Sequence, residues 1–141
     1  MKKIFDLAFH HYQNGNLNQA EILFKKVLKS IPKHFSSIFL LGTLSAQDKK
    51  FQTAKKLLKQ AIEINPNYAE AHNNLGSVFQ ELGKHQDAVA SYQSAININP
   101  NILTAYHSLA NSLHILGKHQ EAIASYQKII EKDPNYIEAR N

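Results

Sequence analysis

Residues 66–76 read Pro66-Asn67-Tyr68-Ala69-Glu70-Ala71-His72-Asn73-Asn74-Leu75-Gly76, and the phrase returns as Pro134-Asn135-Tyr136-Ile137-Glu138-Ala139-Arg140-Asn141. Pro100 stands midway between the two prolines and Pro32 one interval earlier, so all four prolines of the 141-residue chain are 34 residues apart. A fixed period of this length marks a stack of small repeated units, whose usual product is an extended surface. The other columns of the 34-residue register agree. Position 7 holds Leu7, Leu41, Leu75 and Leu109, and position 8 holds Ala8, Gly42, Gly76 and Ala110. Position 20 is alanine throughout (Ala20, Ala54, Ala88, Ala122), and position 24 is large and apolar (Phe24, Leu58, Tyr92, Tyr126).

Within a unit, Leu75-Gly76-Phe79 and Ala88-Tyr92-Ala95 recur at helical spacing, which predicts two helices per unit. Proline pushes the residue before it out of the α region and so closes the second helix. Gly15, Gly83 and Gly117 fall between the helices, where a left-handed C-terminal cap favours glycine. The first helices are expected at 2–14, 36–48, 70–82 and 104–116, and the second at 17–30, 51–64, 85–98 and 119–132. The small residues at positions 8 and 20 are expected to let the two helix backbones approach. Lys49 stands where the other units have the turn glycine, so the second unit is expected to have the least regular turn.

These columns resemble the tetratricopeptide repeat, a 34-residue helix–turn–helix ending in proline, over residues 1–136. The resemblance implies an all-α, right-handed α-solenoid of eight helices, with repeats at 1–34, 35–68, 69–102 and 103–136 and a fifth beginning at 137–141. The chain departs from the family pattern at His11 and Ser45 in an aromatic column, and at Val27 and Ile129 in a small-residue column.

Composition narrows the function. With no cysteine there is no disulfide framework, thiolate nucleophile or zinc–thiolate site. The opening Met1-Lys2-Lys3-Ile4-Phe5 already fills repeat positions and lacks a long apolar run, so neither a signal peptide nor a membrane segment is expected and the cytoplasm is the default location. The net charge of +5 is uneven: repeats 1 and 2 carry +4 and +3, repeats 3 and 4 carry −2 and 0. Lys25, Lys26, Lys29, Lys55, Lys56 and Lys59 all lie on second helices, no arginine falls inside the repeats and no stacking aromatics interleave there. A solvated face is the expectation, and nucleic acid is not an expected partner. A fifth repeat that begins as the sequence stops suggests an N-terminal piece of a longer protein, or an end covered by a second copy through Ile123, Tyr126, Ile130 and Ile137.

The resemblance places binding on the inner, concave face of the first helices. There Phe5, Phe9, Tyr12 and Phe39 make an aromatic half, and Asn73, Asn74, Ser77, Gln80, His107, Asn111 and His114 an amide- and hydroxyl-rich half. Amides can pair with both donors and acceptors of an extended backbone, and the aromatics can anchor apolar side chains. The expected partner is a protein or peptide. A chaperone-adaptor carboxylate clamp is excluded, because its positions carry Phe5, Phe9, Leu40 and Glu70, with Asn74 alone compatible. Asn73-Asn74-Leu75-Gly76 resembles repeats of O-linked N-acetylglucosamine transferases, and His10-His11-Tyr12-Gln13-Asn14-Gly15-Asn16-Leu17 resembles the N-terminal arms of bacterial transferases fused to such repeats. That likeness implies a substrate-recruiting arm with the chemistry elsewhere. No catalytic residue, cofactor or metal is expected. His107 and His114 share a helix face but lie about 10 Å apart along its axis, and His85 and His119, both in Gly-Lys-His-Gln, read as turn architecture.

Overall fold

In the computed structural model, residues 1–135 are described and form eight α-helices with no strand among them. These are α1 (Lys2–Gln13), α2 (Leu17–Ser30), α3 (Phe35–Gln47), α4 (Phe51–Ile64), α5 (Ala69–Glu81), α6 (His85–Ile98), α7 (Leu103–Ile115) and α8 (His119–Lys132). The second helix of every pair has the bounds the sequence predicts. The first helices end one residue earlier than expected, and α3, α5 and α7 also begin one residue earlier. The prolines act as anticipated: Ile31, Asn65, Asn99 and Asp133, each before a proline, leave the helix with φ of −129°, −134°, −132° and −146°.

The chain forms two compact units, Met1–Pro66 and Asn67–Asn141. In the first, α1 packs on α2, α2 on α3 and α3 on α4. Its core joins Ala8, Ala20, Phe24, Leu41 and Leu44, with Phe5, Tyr12, Leu17 and Leu57 against it. In the second, α5 packs on α6, α6 on α7 and α7 on α8, with Ala88, Tyr92, Ala95 and Ala110 fully buried. The position-7 column does not behave uniformly. Leu41, Leu75 and Leu109 are buried, but Leu7 on α1 is 48% exposed.

The small residues of position 8 are buried, although what fills the space beside them is a side chain, not a second backbone. A Cβ added at Gly76 would meet the Tyr92 ring at 2.7–2.9 Å, and one at Gly42 would meet Leu57 and Leu58 at 3.2–3.3 Å. Position 8 is thus the seat of the position-24 side chain from the same pair.

The turn at Lys49 corrects the expectation of irregularity. Lys49 takes φ +61°, beside +78°, +75° and +82° at Gly15, Gly83 and Gly117. The same two bonds close each turn: Lys49 N–H to Ala46 and Lys50 N–H to Ser45, matching Gly83 to Gln80 and Lys84 to Phe79. The helix pair imposes the left-handed geometry and the lysine accepts it at a cost. Lys49→Gly is therefore expected to stabilise the protein by about 1 kcal/mol, seen as a higher urea midpoint at unchanged slope. An unmoved midpoint would mean that the strain is relieved elsewhere.

Candidate functional site

Each unit presents its own set of predicted binding residues, held in a different way. In the first unit, Phe5, Phe9 and Tyr12 follow one another at i, i+4 and i+7 along α1 and so share a face. Their rings stack, Phe5 on Phe9 at 6.2 Å and 10° and Phe9 on Tyr12 at 6.4 Å and 13°. The two outer rings rest on Phe24 of α2, with centroids at 5.9 and 6.3 Å, and Phe5 also meets the His34 ring edge-on at 5.0 Å. Phe9, between them, stays 37% exposed. Phe39 differs from the sequence expectation. It stacks on Phe35 at 6.1 Å and is only 7% exposed, so it offers little surface to a ligand.

No sequence expectation falls on His34, yet it starts α3. Its Nδ1 accepts the Ser37 backbone N–H at 3.2 Å and lies 2.8 Å from the Ser37 hydroxyl. Histidine is not among the usual capping residues, so no sequence signal marked it.

In the second unit the predicted polar residues separate into two groups. Gln80 works inside the fold. Its Nε2 donates to Ser112 Oγ at 2.7 Å and to the Ser108 carbonyl at 3.0 Å, while its Oε1 accepts from Tyr92 O–H at 2.8 Å. One amide so ties α5 to α6 and α7. Ser77, exposed, lies 3.2 Å from the Tyr92 hydroxyl and donates to the Asn73 carbonyl at 3.3 Å. Burial pushes the Tyr92 phenol above its ordinary value, with hydrogen bonds from Ser77 and Ser108 partly offsetting it. Asn73 is half-buried, its Nδ2 3.5 Å from Thr104 Oγ1 on α7, and its Oδ1 is buried without a partner.

Asn74 and His107 are half-buried, and Asn111 and His114 exposed. Asn111 Oδ1 accepts from the Tyr126 hydroxyl, and the Tyr126 ring meets His107 edge-on at 5.8 Å. His114 pairs with His119, not with His107: their Nδ1 atoms are 2.8 Å apart. Gln80 was legible as a polar residue but not as a tie, because its partners come from two other helices.

The residues expected to self-associate lie on α8 at i, i+3 and i+7. Ile123 and Ile130 are 49% and 38% exposed and Tyr126 is half-buried; Ile137 lies outside the described residues. Among the described residues no helix is long and apolar enough to cross a membrane, and no group of three or more histidine or acidic side chains is placed to hold a metal.

Residues 33–141 match the family model described as the tetratricopeptide repeat protein 21 C-terminal ARM domain. Two crystal structures of MamA are similar over nearly the whole chain. One has TM-score 0.89 and 29% identity, covering 94% of this chain and 77% of MamA; the other has 0.91 and 28%, covering 98% and 75%. A mutant O-GlcNAc transferase from Thermobaculum terrenum shares the fold at TM-score 0.86 and 23% identity, over 94% of this chain and 26% of the transferase. No curated protein sequence matches.

Proposed function

Since the chain belongs to the tetratricopeptide-type helical-repeat family defined by the protein 21 C-terminal ARM domain, we propose that it is a non-catalytic binding module for an extended protein or peptide segment. The observation that carries this reading is the Phe5–Phe9–Tyr12 stack, whose central ring is fixed by its neighbours and still exposed. An apolar anchor that is already ordered costs a ligand little further ordering entropy. On α5 and α7 the polar set of Asn73, Asn74, Ser77, His107 and Asn111 supplies amide and hydroxyl groups suited to a peptide backbone. Gln80 supports that surface from within, by joining α5 to α7 through Ser108 and Ser112. A cytoplasmic setting, in keeping with the cysteine-free sequence, belongs to the same proposal.

Peptides selected on the full chain for the aromatic face of the first unit should bind Phe9→Ala at least about tenfold more weakly, and those selected for the amide face of the second should bind Asn74→Ala and Asn111→Ala more weakly, with unfolding midpoints nearly unmoved. Selected peptides that bind all three variants as tightly as the parent chain would sink the reading.

Two alternatives have an observation of their own. Correspondence with a quarter of the transferase's length favours a substrate-recruiting arm of a larger enzyme. The exposed Ile123 and Ile130 on α8 favour self-association. Replacing both by glutamate should disperse an oligomer without altering peptide binding if the last reading holds.

A further inference from the structure

Four turns in this chain are built alike, and one of them differs in its chemistry. Each first helix ends in the same pair of backbone bonds, so positions 12 and 17 of every pair flank a turn of fixed geometry. The occupants are Tyr12 and Leu17, Ala46 and Phe51, Gln80 and His85, and finally His114 and His119. The turn therefore has no architectural need for two imidazoles. In the last pair the rings are edge-on with centroids 4.5 Å apart, and Nδ1 of one lies 2.8 Å from Nδ1 of the other. Along its own helix His114 stands about 10 Å from His107, too far for the two to share one ion. The fold supplies a nearer partner from the next helix.

We propose that His114 and His119 form a two-histidine chelate for a divalent first-row transition metal ion of the imidazole-binding class, such as nickel or zinc. With metal–nitrogen bonds of about 2.0–2.1 Å, two imidazole nitrogens stand about 2.9 Å apart at a right angle and about 3.3 Å apart in a tetrahedron. The pair thus needs to open by about 0.1–0.5 Å to grip an ion.

The turn between them is held by Gly117 N–H to the His114 carbonyl at 3.0 Å and Lys118 N–H to the Leu113 carbonyl at 2.8 Å. The two rings are accordingly brought together before any ion arrives. One ring now lends its Nδ1 proton to the other. On binding, that ring takes its other neutral tautomer, with the proton on Nε2, so both Nδ1 lone pairs face the ion and the net protonation of the pair is unchanged. Both residues are exposed, which leaves the remaining coordination positions to water or to a group from a partner.

His10 and His11 serve as an internal contrast. They are adjacent, their rings are 6.0 Å apart, and one nitrogen of each, His10 Nε2 and His11 Nδ1, lies against Asn14 or Asn16.

The test is calorimetric titration of the full chain with nickel chloride, and separately zinc chloride, in a non-chelating neutral buffer, with the histidine ring signals followed by NMR. The expected result is one site that shifts the His114 and His119 signals first. His114→Ala, His119→Ala or His119→Gln should each weaken it about tenfold or more, while the His10→Ala, His11→Ala double variant leaves it unchanged. Binding should also weaken as the solution is made acidic, because a protonated ring cannot ligate. Circular dichroism of each variant confirms the fold, which exposed substitutions are expected to spare. Absence of binding, or equal binding by the His114→Ala, His119→Ala double variant, would overturn the assignment and leave the contact as an imidazole–imidazole hydrogen bond.

Discussion

Phe24→Ala should lower the unfolding free energy by about 3–5 kcal/mol, the largest loss expected from a single truncation in the first unit. Phe24 has no exposed surface, and its ring is the floor on which Phe5 and Tyr12 both rest. It also joins Ala8 and Ala20 to Leu41 and Leu44, so one side chain links α1 and α3 through α2. Removing the ring leaves a cavity that the alanines beside it cannot fill, and the cost follows how far the helices can close in.

The effect should also reach binding, because Phe9 is positioned by neighbours that lose their support. Two readouts check this: urea unfolding followed by circular dichroism, and the affinity of a peptide selected for Phe9. Stability should fall at the stated magnitude, and affinity should fall with it even where the variant remains folded. A loss below about 1 kcal/mol would mean that α1 settles onto α2 without the ring. Unchanged peptide affinity in a folded Phe24→Ala variant would detach the stack from its floor and, with it, the proposed anchor.

The legible parts of this fold were those written by punctuation. The bounds of α2, α4, α6 and α8 follow from a glycine or its substitute on one side and a proline on the other. First helices are harder to delimit, since Tyr68 and Ile102 cap α5 and α7 without a side-chain hydrogen bond and His34 caps α3 with an imidazole. Lys49 shows the opposite case. Its residue type argued for an irregular turn, but packing of the flanking helices outweighed a local preference worth about 1–2 kcal/mol. Among the site residues, the aromatic stripe was visible because it lies on a single helix. Gln80 and the His114–His119 pair were not, because their meaning depends on side chains that only the fold brings together.

The second large effect is expected at Gly76. By helix propensity alone, Gly76→Ala should gain about 1 kcal/mol. Its neighbour reverses the sign. The added Cβ would stand 2.7–2.9 Å from three atoms of the Tyr92 ring, which is rigid, wholly buried and held at its hydroxyl by Gln80 and Ser77. The ring must slide, and overpacking of this kind costs about 1–3 kcal/mol. Losing the bond to Gln80 Oε1 adds about 1–3 kcal/mol if that acceptor is left buried and unpaired. With the propensity gain set against both, the net expectation is a loss of about 1–5 kcal/mol.

Two internal comparisons constrain the outcome. Gly42→Ala meets Leu57 Cβ, which its backbone fixes, at 3.2 Å and the more mobile end of Leu58 at 3.2–3.3 Å, so it should cost less than Gly76→Ala. At the last pair an alanine, Ala110, already sits in the position-8 seat, and there Tyr126 is half-buried with its hydroxyl on Asn111, at the position equivalent to Ser77. Gly76→Ala should push Tyr92 toward that arrangement, keeping Ser77 and releasing Gln80.

An ultraviolet titration reads the displacement directly. Burial now holds the phenol above its ordinary value of 10.0, so the folded protein keeps its proton where the unfolded chain loses it. This contribution to stability is complete below pH 10 and lost as the pH climbs beyond it. In Gly76→Ala the phenol should ionise nearer its ordinary value and that alkaline loss should shrink. The double variant Gly76→Ala, Tyr92→Leu, in which a leucine such as Leu58 would face the added methyl group, should lose less than the sum of the two single changes. Strict additivity would place the cost somewhere other than the contact between these two residues.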